Sequence, residues 1–386
     1  MRRRARELGL QVVGIASAAA FPEVEATLVA RIRAGLMDGL DWFTEERARF
    51  SADPHNLMPE ARSLIAVAAS YLRPEPAGAA AAGPRGRVAR YAWGRDYHEA
   101  LKERLGQLVA ALREEAPGAR CAAIVDTGRV VDRAVARRAG VGWYGKNTNI
   151  LTLGYGSWVS LGEILTDVAL PPDRPTRRNC GRCTACLGAC PTGALVAPGV
   201  LDNARCISYL TIENRGPIPR ELRPLIGDWI FGCDICQEVC PVNRRAAPAA
   251  AGPMVVEPRP ALLPLLGLTE DEFRRRYRHT AVARAKRRGL VRNIAVALGN
   301  AGDRAAVPAL GAALEDAEPL VRGHAAWALG RLGGPAARDY LLAAAASETD
   351  AWVGAELALA LAECGDGRDG GACVAGEADA DHDGGV

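Results

Sequence analysis

Eight of the eleven cysteines in this 386-residue chain fall between Cys180 and Cys240. The first four form C-x2-C-x2-C-x3-C followed by proline: Cys180, Cys183, Cys186, Cys190 and Pro191. Cys206, Cys233, Cys236, Cys240 and Pro241 follow. Two-residue spacings let one tight loop present three thiolates to the corners of an iron–sulfur cube. The fourth cysteine of such a run ligates the other cluster where there are two, and the proline redirects the chain after it. The pattern predicts two [4Fe–4S] clusters. One is on Cys180, Cys183, Cys186 and Cys240, the other on Cys190, Cys206, Cys233 and Cys236. A pair of structural zinc sites is the competing reading, but it would show paired C-x2-C knuckles rather than three cysteines in register. Cys121, Cys364 and Cys373 stand apart as bystanders, Cys121 as a core residue. Two clusters move electrons but make no product alone, so the rest of the chain must supply the acceptor.

The composition is that of a soluble globular protein, 49% hydrophobic and 24% charged. No apolar run approaches the roughly 20 residues of a spanning helix. The basic start, MRRRARELGLQVVGIA, lacks the apolar stretch and cleavage site of a signal peptide. A cytoplasmic location is expected, and there clustered cysteines bind metal more often than they form disulfides. The net charge of +3 is unevenly spread. Residues 274–292 hold nine Arg and Lys and no acid, and the tail after Cys364 is acidic. Neither a G-x-G-x-x-G nor a G-x4-G-K-[ST] run marks a nucleotide site outside the cysteine region.

The remaining elements must position the acceptor. Val24, Leu28, Ile32 and Leu36 give one apolar face and predict a helix over 22–39. Residues 63–72 read as a buried strand, and 74–86 as a Gly/Pro/Ala-rich loop. Asp96 is a candidate N-cap for a helix striped by Leu101, Leu105, Leu108 and Leu112. CAAIVD, 121–126, reads as a strand ending in Asp126, followed by a turn, a helix to Arg138 and a Gly-rich loop. Segments 149–153 and 157–168 read as strands. This alternation predicts an α/β core, with ligands outside the carboxyl ends of its strands, at Asp126 and the 140–149 loop. After Val291 the sequence repeats every 30–32 residues, from Val321 and again from Val353, which marks a short HEAT-like solenoid. The expected domains are 1–170 (α/β), 171–245 (ferredoxin-like, two clusters), 246–364 (HEAT-like) and 365–386 (disordered acidic tail).

Four long strings carry a family resemblance: RYAWGRDYH (90–98), VDTGRVVDRAVARRAGVGWYGKNTNIL (125–151), CISYLTIENRGPIPRELRPLIGDWIFGCDICQEVCPVN (206–243) and FRRRYRHTAVARAKRRGLVRNIAVALGN (273–300). The chain resembles the epoxyqueuosine reductase family from near residue 1 to about 360. The resemblance implies a cobalamin-dependent enzyme that reduces the epoxide of epoxyqueuosine in tRNA to the cyclopentene of queuosine. It makes 1–170 the cobalamin domain and Asp126 the proton donor; a carboxyl beside an apolar corrin would have a raised pKa. On the residues alone, Asp126 is equally a helix cap. Tyr97 and His98 fall in the implied active-site GRDYH segment. Lys146 and Asn147 are expected to contact corrin amides or substrate. Ser208 and Asp234 lie beside cluster ligands, where cofactor and cluster should meet. The basic segment, with Arg284, Lys286, Arg287, Arg288 and Arg292, suits tRNA phosphates on a curved helical support. A monomer is expected, served by an unidentified low-potential electron donor, with no membrane partner. Electrons would enter at the more exposed cluster. No D-x-H-x-x-G signature is present, so cobalamin rests on the resemblance. A reductive dehalogenase-like enzyme acting on a small molecule and a two-cluster electron carrier are the rival readings.

Overall fold

A computed structural model describes residues 1–76, 83–248 and 253–365 of the chain. The acidic tail beyond residue 365 and Cys373 lie outside the described residues, as does part of the 74–86 loop.

Ser63–Ser70 is the central element of a four-stranded sheet. It pairs on one side with Val12–Ser17 and on the other with Val159–Thr166, which in turn pairs with Cys121–Ile124. All but the last residue of the 63–70 strand are buried. Both sheet faces are covered, so its sequence, SLIAVAAS, lacks the polar alternation of a half-exposed strand. On one face Leu64, Ala66, Ala68 and Leu165 meet Ala134 and Val135 of the helix Asp132–Arg138. On the other, Ile65, Val67 and Ile164 meet Leu101, Leu105 and Leu108 of the helix Tyr97–Glu115. Every pairing in the sheet is antiparallel. The expected α/β alternation is therefore present without a parallel sheet or a common carboxyl edge. Asp126 still lies just past the end of its own strand.

Two other expected boundaries move. The first helix ends at Arg33, not residue 39, because Gly35 turns in the left-handed region at φ +72°. The Gly-rich loop after Arg138 contains a hairpin, Gly142–Tyr144 against Ile150–Thr152.

The short helices Ala185–Gly188 and Ile235–Glu238 pack on each other, one from each cysteine run. The repeat helices Lys286–Ala301, Pro319–Leu332 and Ala351–Gly365 stack side by side, with Val307–Ala313 and Pro335–Ala345 between them. Their core is not confined to the repeats. It also takes in Val88, Trp93, Ile207, Leu210, Trp229, Ile230 and Phe231. The segment following Cys206 is thus sandwiched between the cluster loops and the solenoid.

A buried ion pair fixes that docking. Arg223 reaches Glu356 with both guanidinium nitrogens, at 2.9 and 2.6 Å, and Arg220 adds a third contact at 2.6 Å. The Arg223 and Glu356 side chains are 1% and 6% exposed. Glu356→Ala would leave a buried guanidinium without its counter-charge, and is expected to lower unfolding stability by about 3–5 kcal/mol, measured by denaturant titration of the holo-protein.

Candidate active site and cluster loops

Asp126 is held at φ +44°, a left-handed conformation that aspartate tolerates better than most residues. The turn lifts its carboxylate off the sheet toward the N-terminus of the Tyr97 helix. Three donors converge there. The Tyr97 hydroxyl donates to Oδ2 at 2.6 Å, His98 Nε2 lies 3.1 Å from the same oxygen, and Arg284 Nη1 lies 3.7 Å away. Asp96 does two jobs. Its side chain caps the helix by accepting from the His98 backbone N–H, and Oδ1 holds His98 Nδ1 at 2.8 Å. The imidazole is therefore fixed between two carboxylates. Tyr97 stacks on His98 with ring centroids 4.1 Å apart, and Tyr91 packs edge-on behind Tyr97.

The electrostatics follow from this geometry. Hydrogen bonds to Asp126 and Asp96 raise the His98 pKa to about 9, against the cost of burial, so the ring is an imidazolium at neutral pH. Burial disfavours the charge on Asp126, but the hydrogen bonds from His98 and Tyr97, with Arg284 beyond, outweigh it and hold the carboxyl at about 2. Burial and the Asp126 charge push the Tyr97 phenol up, so it remains a donor. In this arrangement the mobile proton sits on His98. Asp126→Asn is expected to bring the NMR titration midpoint of His98 down from about 9 toward its ordinary 6.5.

Behind this group lies a feature the motifs did not reveal. Asp132, in the first turn of its helix, and Glu163, on the adjacent strand, bury their carboxyls together. Burial pushes both upward, so the pair is held by a hydrogen bond between the two carboxyls, and no other side-chain donor reaches Asp132 Oδ1 or the Glu163 oxygens. The Trp143 indole N–H is unpartnered.

The cysteines gather in two adjoining neighbourhoods. Cys180, Cys183, Cys186 and Cys240 line one small cavity together with Lys146 and Asn147. The other four share a more buried neighbourhood. Burial pushes the Cys206 thiol up, pushes Cys236 up to about 12 and raises Cys233 further, with the other cysteines of the group adding to each shift. Thiols so placed do not ionise by themselves, whereas iron would stabilise the thiolates. Four thiols lining one cavity are the donor set that an iron–sulfur cube takes. Cys183 is exposed, so the first loop is the one nearer solvent.

Several sequence-predicted residues hold the cluster loops in place. Lys146 Nζ donates to the Gly181 carbonyl at 2.8 Å, and buried Asn147 donates to the Cys236 carbonyl at 3.3 Å. Together they tie the 142–152 hairpin to both loops. Asp234 is 2% exposed and accepts from the Arg90 backbone N–H at 2.8 Å. Burial raises its pKa to about 7. Ser208 is half-buried, and its backbone N–H helps hold the Cys206 sulfur.

The basic segment splits. Lys286 and Arg288 are exposed. Arg287 is bound to Asp316. Arg284 belongs to the Asp126 site. Arg292 cannot contact RNA: it is fully buried and donates to the carbonyls of Leu210, Asn214 and Gly216. A signal for this was available, because Arg322 occupies the equivalent repeat position and also points inward, to Glu348.

Two cysteine loops with iron–sulfur spacing, a carboxylate–imidazolium site and a helical-repeat support define an iron–sulfur oxidoreductase. Comparison with known proteins agrees. Residues 179–243 match the 4Fe-4S double cluster binding domain, 52–127 the epoxyqueuosine reductase QueG domain, and 280–362 the HEAT repeats. The chain is 38% identical over 352 residues to the epoxyqueuosine reductase of Bacillus cereus, covering 89% of this chain and 91% of that one. It is 40% identical over 332 residues to that of Escherichia coli, covering 84% and 86%. Solved epoxyqueuosine reductases superpose with a TM-score of 0.87 at 35% identity, covering 94% of this chain and 97% of theirs. One, from Bacillus subtilis, has its catalytic aspartate loop swung out of the active site. Another is bound to an epoxyqueuosine-modified tRNA-Tyr stem loop. The chain belongs to the epoxyqueuosine reductase family.

Proposed function

We infer that this chain reduces epoxyqueuosine in tRNA to queuosine. The observation that carries the reading is the Asp126–His98–Tyr97 group standing beside a two-cluster domain, in a chain similar to these reductases over most of its length. Replacing the epoxide by an alkene takes two electrons and two protons and releases the oxygen as water. Asp126 Oδ2 and His98 Nε2 form the group that can hold and deliver a proton at that oxygen, and the Tyr97 hydroxyl orients the carboxylate. Exposed Cys183 marks the side where an electron-donor protein would dock, and Arg133, in the helix that follows Asp126, sits within electrostatic reach of Cys206. Cobalamin, when bound, supplies the low-potential cobalt chemistry of the reduction. The paired carboxyls of Asp132 and Glu163 and the unpartnered Trp143 N–H are groups of the kind that the amides on a corrin rim bind, and these residues would hold it. Exposed Lys286 and Arg288 suit RNA phosphates. Anaerobic turnover of epoxyqueuosine-tRNA with a chemical reductant, with and without added cobalamin, tests the reading. Queuosine formation that depends on cobalamin is expected, and equal conversion without it would overturn the cofactor assignment.

A further inference from the structure

Arg284 connects the basic segment with the Asp126 site. Its Nε lies 2.5 Å from Glu213 Oε1, and its Nη1 lies 3.7 Å from Asp126 Oδ2. Its backbone carbonyl is held by the Arg215 guanidinium at 2.9 Å. The backbone is therefore anchored, while the side chain, 37% exposed, divides itself between two carboxylates. Exposed Lys286 and Arg288 follow it in the chain. One guanidinium thus reaches from the basic surface to the catalytic carboxylate, and its fork accepts phosphate as readily as carboxylate.

We propose that Arg284 is a positioning residue operated by the RNA backbone: in the free enzyme it clamps Asp126, and a phosphate of the docked RNA draws it away as the modified base enters. The proposal rests on tRNA being the substrate. The groups facing Asp126 are Tyr97 and His98 from one helix and Arg284 from the 281–285 turn. Tyr91 lies behind them, Glu213 across Arg284, and buried Asp132 and Glu163 on the sheet side. With Arg284 engaged, two cations face one carboxylate, and the proton stays on His98. With Arg284 withdrawn, the His98 Nε2–H bond can break and an O–H form on Asp126 Oδ2. The imidazolium becomes a neutral imidazole and the carboxylate a carboxylic acid, which presents its proton to the epoxide oxygen. No electrons are involved in this transfer.

The test uses the holoenzyme, epoxyqueuosine-tRNA, and the Arg284→Gln variant, with cluster content confirming that the variant is folded. The pH dependence of kcat/KM reports the free enzyme, and that of kcat the complex. In the wild type the alkaline limb of kcat/KM is expected near pH 9, with the limb of kcat higher by about one pH unit. In Arg284→Gln the two limbs should coincide, KM should rise about tenfold, and the slope of log affinity against log salt should fall by about one. Separated limbs in the variant, with RNA binding weakened, would make Arg284 an ordinary phosphate contact; the clamp would be overturned and the tRNA reading left standing. Failure of the wild type to bind tRNA would overturn both.

Discussion

Asp126→Asn is expected to lower the turnover of epoxyqueuosine-tRNA by about 100- to 10,000-fold, the range typical of a lost general acid. Iron content and tRNA affinity should be unchanged. Asparagine is the right probe because it shares the tolerance of aspartate for the left-handed region, and Asp126 sits at φ +44°. Alanine would confound lost chemistry with a relaxed turn. The amide oxygen can still accept from Tyr97 and His98, so the constellation should hold its shape. What the amide cannot do is take the His98 proton and pass it on. Single-turnover assays under anaerobic reduction separate this step from product release. Wild-type rates in the variant would remove Asp126 from the chemistry. A fall explained entirely by weaker tRNA binding would make it a substrate contact instead.

How far the chain disclosed this site in advance differs by residue. The cysteine ligands were fully legible, because a cube demands thiolates at fixed short spacings and few other chemistries use that pattern. Tyr97, His98 and Asp126 were legible as candidates from their motifs, but their mutual contacts were not: they are 28 and 29 residues apart in sequence and meet only when the helix packs on the sheet. That distance is also why the convergence of Tyr97, His98 and Arg284 on one carboxylate oxygen could not be read from the chain. The bonds of Lys146 and Asn147 to the carbonyls of Gly181 and Cys236 were not legible, because a lysine in a glycine-rich loop looks the same whatever it meets. Arg292 was counted with its surface neighbours although the repeat register placed it inside with Arg322. Asp132 and Glu163 left no trace, since a buried acid on a strand and one in a helix's first turn form no local pattern.

The interlocked division of the cysteines leads to the second large effect. Cys240 stands in the second run, yet it lines the cavity of the first with Cys180, Cys183 and Cys186. Cys190 belongs with Cys206, Cys233 and Cys236, and Cys206 feels its charge. The packing of the helices Ala185–Gly188 and Ile235–Glu238 allows this exchange, because the cysteine two residues past each helix then lies beside the other loop. Cys240→Ser should therefore remove the solvent-side cluster and spare the deeper one. Iron content should fall by roughly half, and one of two reduced-cluster EPR signals should vanish. Cys190→Ser should remove the other signal. Turnover should fall in both, but the causes differ. Without the solvent-side cluster, the deeper one is cut off from protein donors, and a small reductant able to reach it should restore part of the activity. Without the deeper cluster, no reductant acting at the surface bridges the gap to the Asp126 site. Loss of the deeper signal in Cys240→Ser would refute the interlock and assign each run of cysteines to its own cluster. The same partial rescue in both variants would show instead that the order of the two clusters along the path is wrong.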